Sequence, residues 1–163
     1  MVAINDSGES LYALEWVLYT FLVLSGNYYN HDDQSMLTII HVMEPFPYYA
    51  FPGAHAVFSS TSMVQSMSNK VQEESALAML AHALHMCTQR MVRAKTSILE
   101  GDPKEMICQV AELMHVNLIV VGSRGLGKIK KGKAFMGNVS KYEVHHAKCL
   151  VLILKPPTSA PSK

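Results

Sequence analysis

Residues 118–127 read LIVVGSRGLG, and residues 137–140 read GNVS. An apolar run that ends in glycines is typical of a buried parallel strand followed by a tight loop. Glycines at the carboxyl end of such a strand let the backbone approach a ligand, and the next helix presents N–H groups to phosphate oxygens. The stretch therefore predicts an α/β fold with a phosphate-binding segment from Gly122 to Gly137. A tight turn without a ligand would use the same glycines.

Two common phosphate-binding motifs are absent from this segment. The GxxxxGK[ST] order of a Walker loop is missing, and the segment follows a late strand, whereas the dinucleotide fingerprint follows the first strand. Four lysines add positive charge, which suits a triphosphate and equally suits a solvated basic loop. They are Lys128, Lys130, Lys131 and Lys133.

Outward from this segment, apolar runs with strand and helix periodicity alternate, which favours a parallel sheet built from strand–helix units. Strands are predicted at 1–4, 36–42, 95–100, 118–121 and 150–154, and helices at 9–24, 64–92, 104–115 and 134–146. The proline-rich and aromatic segment 44–63 is predicted to be irregular. The first strand starts at the first residue, so we expect the residues that usually precede such a strand to be missing. The predictions amount to one domain over residues 1–157 and a disordered tail over 158–163.

The composition and net charge of the chain indicate which classes of binding partner to expect. The 163 residues are 49% hydrophobic and 17% charged, and the net charge is +1, too small a field to predict a nucleic-acid or acidic-lipid partner. The apolar stretch 16–24 is shorter than the roughly 20 residues of a membrane span and lacks the basic start of a signal peptide. We therefore expect the chain to stay in the cytosol or the nucleus. Cys87, Cys108 and Cys149 form no CxxC pair, so buried free thiols are expected.

Four segments of the chain together match the pattern of a known family. They are VAINDSGES at 2–10 with YALEW at 12–16, IHVMEP at 40–45, VGSRGLG at 121–127, and HHAKCLVLILKPP at 145–157. Through these segments the chain closely resembles the universal stress protein family, particularly its single-domain plant-type members. The resemblance implies a three-layer, adenine nucleotide alpha hydrolase-like fold with a five-stranded parallel sheet in the order 3-2-1-4-5. It also implies an adenine nucleotide bound across the switch between the first and fourth strands, and a stress-response role.

The resemblance also implies which residues would surround ATP, with or without Mg²⁺. Asn5 and Val42 would face the ribose and the adenine. The remaining positions would lie around the phosphates: Val121, Gly122, Ser123, Arg124, Gly125, Gly137, Asn138, Val139 and Ser140.

The chain departs from the ATP-binding pattern of the family at two places. That pattern has nine residues before the last glycine, which Ser or Thr follows, but here eleven residues, 126–136, separate Gly125 from Gly137, and Asn138 follows. Asn5 replaces an aspartate of the family. These departures leave open an alternative in which the chain has lost the nucleotide and acts as a dimeric interaction module.

Enzymatic function is weakly supported. No carboxylate beside the loop is recognisable as an Mg²⁺ ligand and no general base is evident, so slow ATP hydrolysis is the most that the sequence supports. A nucleotide-dependent transferase of similar architecture would need a motif such as HxGH, which is absent. His82 and His85 lie three apart on a predicted helix, but no carboxylate completes a metal set, so neither a catalytic nor a metal-binding residue is predicted.

The last predicted strand, Leu150 to Leu154, would be an edge strand in the order 3-2-1-4-5. An exposed apolar edge invites pairing with another chain. We therefore predict a two-fold homodimer through residues 150–154, which the resemblance also implies. The alternative is an edge covered by the chain's own tail.

Overall fold

The computed structural model describes residues 1–24, 36–45, 58–123 and 137–157. The strands and helices alternate along the chain. In order they are β1 (Val2–Ala3), α1 (Gly8–Leu24), β2 (Leu37–Met43), α2 (Phe58–Gln89), β3 (Ala94–Glu100), α3 (Pro103–Leu113), β4 (Leu118–Gly122), α4 (Asn138–His146) and β5 (Leu150–Leu154). The strands form one five-stranded sheet in the order β3-β2-β1-β4-β5.

All strand pairs in this sheet are parallel. Val2 of β1 lies opposite Ile39 of β2 on one side and opposite Val120 of β4 on the other. The carboxyl ends of β1 and β4 therefore lie side by side, and the chain leaves them toward α1 and α4. This is the point at which the strand order reverses, where open α/β sheets bind ligands.

Helices cover both faces of the sheet, and alternate residues of each strand supply the two cores. On one face α1 and α2 pack over the first core, whose buried members are Val2, Ile4, Ala13, Leu14, Val17, Leu18, Leu37, Ile39, Leu80, Ala83, Cys87 and Val120. On the other face α3 and α4 pack over the second core, which includes Ile40, Ile107, Ala111, Ile119 and Val121. This two-sided burial explains why the strands read as continuous apolar runs.

The predicted fold class and strand order are confirmed, and β5 begins and ends where predicted. The main difference is α2, which begins at Phe58 inside the segment predicted to be irregular and ends at Gln89. Its first turns contain several serines and a threonine, which have low helix propensity, and this obscured the helical period.

The fourth helix also differs from its prediction. It begins at Asn138 instead of residue 134, because Gly137 is extended, with φ −61° and ψ 157°, and serves as the N-cap. The predicted helix residues 134–136, the loop residues 124–136 and the tail 158–163 lie outside the described residues. Among the described helices, none is both long and apolar enough to cross a membrane.

The cysteines differ partly from expectation. Cys87 is buried between α2 and the sheet, whereas Cys108 and Cys149 are only half-buried. All three are free thiols.

Candidate functional site

The turn after β1 is held by hydrogen bonds from Asn5, Ser7 and Ser10. The Asn5 side-chain oxygen accepts from the Ser7 N–H at 3.2 Å and from the Ser7 hydroxyl at 2.5 Å. The Ser10 hydroxyl donates to the Asn5 carbonyl at 2.6 Å, and the Ser10 N–H donates to the Ser7 hydroxyl at 3.3 Å, so Ser7 caps α1. The Asn5 oxygen that an aspartate would also possess is therefore used to fix this turn.

Ser123 follows β4 and joins three other elements. Its N–H donates to the Leu154 carbonyl of β5 at 2.7 Å, and its carbonyl accepts from the Gly137 N–H at 2.8 Å. Its hydroxyl donates to Oε2 of Glu9, in the first turn of α1, at 2.9 Å. Ser123 thus fixes the end of β4 relative to β5, α4 and α1.

Gly122 is a point of close backbone approach, but the approaching element is α1. A Cβ at this position would lie 2.8 Å from the Glu9 carbonyl carbon, 2.9 Å from its oxygen and 2.9 Å from the Ser10 nitrogen. The glycine is therefore required for packing β4 against α1, in addition to any role toward a ligand. Its carbonyl accepts from the buried Ser140 hydroxyl at 2.9 Å, which ties α4 to the end of β4.

The N-terminus of α4 lies beside Ser123 and has no side-chain cap among the residues that the structure describes. Gly137 occupies the N-cap position and has no side chain to satisfy the N–H groups of the first turn. Asn138, the first helical residue, is exposed, whereas Val139 packs against the core under α3 and α4. Uncapped N–H groups and the positive end of the helix dipole are suited to an anion.

The structure brings together Asn5, Gly122, Ser123, Gly137 and Asn138, all at the carboxyl edge of the sheet. Other predicted site residues have their side chains elsewhere: Val121 is buried in the core, Val42 is half-buried against it, and the Ser140 hydroxyl is committed to Gly122. The predicted positions Arg124 and Gly125 and the four lysines of the loop lie outside the described residues.

Glu9 is a residue of this site that was not predicted from the sequence. Its carboxylate lies against Ser123 although 114 residues separate the two in the sequence. The only available signal was its place in the first turn after the cap residue Ser7, and that position cannot indicate which strand end the side chain meets. The structure thus places a carboxylate beside Ser123 at the end of β4, although the sequence alone indicates none there.

A second unexpected carboxyl group is that of Glu143, on the buried side of α4. Its side chain is fully buried, and neither oxygen has a hydrogen-bond partner within the described ranges. Burial raises its pKa from 4.5 to about 8. The pKa of Cys108 on α3 is also raised, by burial first and then by the charge of Glu143. Glu143 therefore lies at the α3–α4 side of the sheet and is mostly protonated at neutral pH.

The histidines noted in the sequence form no metal centre in the part of the chain that the structure describes. No three or more His, Cys, Asp or Glu side chains come together there as metal ligands. His82 and His85 are exposed on α2, and the His85 ring lies 2.9 Å from the Gln89 side-chain nitrogen.

Comparison with known proteins agrees with this architecture. The model of the universal stress protein family matches residues 1–155. A curated relative, a universal stress protein A-like protein from Arabidopsis thaliana, is 31% identical over 95% of this chain and 88% of its own length. The chain therefore belongs to the universal stress protein family, and its sheet has the adenine nucleotide alpha hydrolase-like fold of that family.

Two solved structures are informative about ligands of related proteins. A universal stress protein family protein from Arabidopsis thaliana, solved with AMP bound, is 25% identical, covers 100% of this chain and 95% of its own, and superposes with a TM-score of 0.62. A universal stress protein in complex with cAMP is 17% identical over 94% of this chain and 93% of its own, with a TM-score of 0.58. The second likeness concerns the fold alone.

Proposed function

We propose that this chain is an adenine-nucleotide-binding universal stress protein, a stress-response module that responds to the nucleotide as a homodimer. One observation carries the nucleotide assignment: the carboxyl ends of β1 and β4 converge with the uncapped N-terminus of α4. The AMP complex of the similar protein from Arabidopsis thaliana supports the same ligand class.

The donor set at this edge fits a phosphate group. No side chain of the described ranges caps the first-turn N–H groups of α4, and Asn138 is exposed at the helix start. An amide side chain can donate to a phosphate oxygen, as a hydroxyl can. Asn138 and the neighbouring N–H groups would bind the phosphates, and the ordered turn at Asn5 would lie toward the nucleoside. We propose ATP, with Mg²⁺, as the principal nucleotide.

A change at Asn138 tests the nucleotide site without disturbing the fold. In the Asn138→Asp variant, a carboxylate at the first position of α4 repels phosphate but suits the helix dipole, so stability should be retained. We expect the dissociation constant for ATP with Mg²⁺ to rise on the order of tenfold or more, equivalent to about 1.4 kcal/mol. Isothermal titration calorimetry measures the affinity, and urea unfolding measures the stability.

The matched control is Asn69→Asp, which makes the same change at an exposed position of α2. It should bind ATP as the parent chain does. Equal weakening by both variants would argue that net charge, and not the α4 terminus, controls binding. If the folded parent chain releases no heat with ATP, the proposal is wrong and the nucleotide-free interaction module becomes the better hypothesis.

We further propose that β5 forms the homodimer interface. It is the last strand of the sheet, so one of its sides has no strand partner among the described residues, and Leu150 at its start is 74% exposed. An apolar edge of this kind pairs readily with a second copy of itself. Two-fold pairing of β5 with β5 would extend the sheet through both subunits.

A charge at the start of β5 tests the interface. We expect Leu150→Lys to weaken the dimer on the order of tenfold or more, because the charged side chain would lose water against the apolar strand of the second copy. Sedimentation equilibrium measures the dissociation constant of the dimer. The control is Leu77→Lys on α2, where the leucine is 54% exposed and the helix packs against β2 and β3, on the far side of the sheet from β5. A monomeric parent at micromolar concentration would contradict the proposal.

A further inference from the structure

The strongest unassigned feature near the proposed nucleotide site is the Glu9 carboxylate. Glu9 lies in the first turn of α1 and is half-buried, and its Oε2 accepts the Ser123 hydroxyl proton at 2.9 Å. The backbone of Glu9 also packs against Gly122. The carboxylate is therefore held beside the end of β4, next to the strand end that α4 and Ser123 share.

Because of this hydrogen bond, the Ser123 hydroxyl cannot at the same time donate to a phosphate oxygen. A hydroxyl has one proton, and that of Ser123 is directed at Glu9. Within the described ranges, salt bridges join only Lys104 to Asp102 and Lys148 to Glu112, so no side-chain cation there neutralises Glu9. The phosphates of a nucleotide at this edge would come close to the Glu9 carboxylate, and a cation shared between these negative groups would favour binding.

We propose that Glu9 makes nucleotide binding depend on a divalent cation by sharing Mg²⁺ with the phosphates. The inference rests on the proposed nucleotide site and adds a specificity-determining residue to it. Carboxylate and phosphate oxygens are the hard ligands that Mg²⁺ prefers, and protein Mg²⁺ sites commonly combine one or two carboxylates with substrate phosphates. The site would thus select the metal–nucleotide complex over the free nucleotide.

A purely structural role for Glu9, as a tie between α1 and β4, makes different predictions. Glu9→Gln keeps an oxygen that accepts from Ser123, so the tie is retained and only the charge is lost. Ser123→Ala removes the tie and leaves the carboxylate in place. If Glu9 were only a tie, Ser123→Ala would lower stability and neither variant would change the effect of Mg²⁺ on binding.

The experiment measures ATP affinity of the full chain by calorimetry, with excess Mg²⁺ and with EDTA, for the parent, Glu9→Gln, Ser123→Ala and the control Glu15→Gln. Glu15 is an exposed glutamate farther along α1. The quantity compared is the ratio of the two dissociation constants. We expect Glu9→Gln to reduce this ratio on the order of tenfold, by tightening the binding of free ATP and weakening that of the Mg²⁺ complex. Glu15→Gln should keep the parent ratio, and Ser123→Ala, which retains the carboxylate, should still bind ATP more tightly with Mg²⁺ than with EDTA.

Two results would overturn the inference, and they are distinguishable. If the parent binds ATP but Glu9→Gln keeps the parent ratio, Glu9 does not share a cation with the nucleotide, and the proposed nucleotide function stands. If the folded parent binds ATP under neither condition, the nucleotide function itself is wrong and the inference fails with it.

Discussion

We expect the stability difference between Glu143→Gln and the parent chain to change steeply with pH, in favour of the variant as the pH rises. Burial raises the Glu143 pKa from 4.5 to about 8, so the folded state keeps a proton that the unfolded state loses over this range. The contribution of this carboxyl group to the stability of the parent is therefore fully present below pH 4.5 and is lost as the pH rises through about 8. At about 1.4 kcal/mol per pKa unit, the total loss is about 5 kcal/mol.

Urea unfolding at a series of pH values checks this prediction. The buried amide that the variant carries would lack partners too, but that cost does not vary with pH, so the slope is the informative quantity. The difference between variant and parent should grow by about 1.4 kcal/mol for each pH unit between about pH 5.5 and about pH 7, and the slope should flatten as the pH passes about 8. Glu73→Gln, at an exposed position of α2, is the control and should leave the parent slope unchanged. Equal slopes for Glu143→Gln and the parent would show that water or a cation reaches this carboxyl group.

The second large effect is expected at Gly122. In Gly122→Ala the added methyl group would lie 2.8–2.9 Å from three backbone atoms of Glu9 and Ser10. No side-chain rotation can relieve contacts with backbone, so α1 must move away from β4, and the hydrogen bond between Glu9 and Ser123 must lengthen. We expect a loss of roughly 2–3 kcal/mol in the free energy of unfolding, measured by urea denaturation.

Gly8→Ala is the matched control for this substitution. Gly8 is the first residue of α1, and a Cβ there would have no neighbour within 4 Å. Alanine is also a better helix former than glycine, so this variant should be as stable as the parent or more stable by up to about 1 kcal/mol. A Gly122→Ala variant that is as stable as Gly8→Ala would contradict the proposed backbone contact.

Most of the fold was predictable, because strand periodicity is a local property of the sequence. The five strands were predicted within two residues at each end from apolar runs alone. The beginning of α2 was not, because the Ser- and Thr-rich turn after Phe58 has low intrinsic helix propensity and is helical only as part of a longer helix.

The site was predictable to a lesser degree. The resemblance indicated Gly122, Ser123 and Gly137, and the structure does place them together. It could not indicate that Glu9 meets Ser123, since this contact depends on the relative position of α1 and β4. Nor could it indicate Glu143: its neighbours Tyr142 and Val144 read as an ordinary helix, and burial of a carboxyl group is a tertiary property.

The central position of β1 has a consequence for the stability of the sheet. β1 lies between the pair β2 and β3 and the pair β4 and β5, so it joins one pair of strands to the other. The carboxyl ends of β1 and β4 lie at one end of this junction between the two pairs of strands. A ligand that contacts residues on both sides of this junction would hold the two halves of the sheet together, so the resistance of the sheet to separation would increase with the fraction of molecules that have ligand bound.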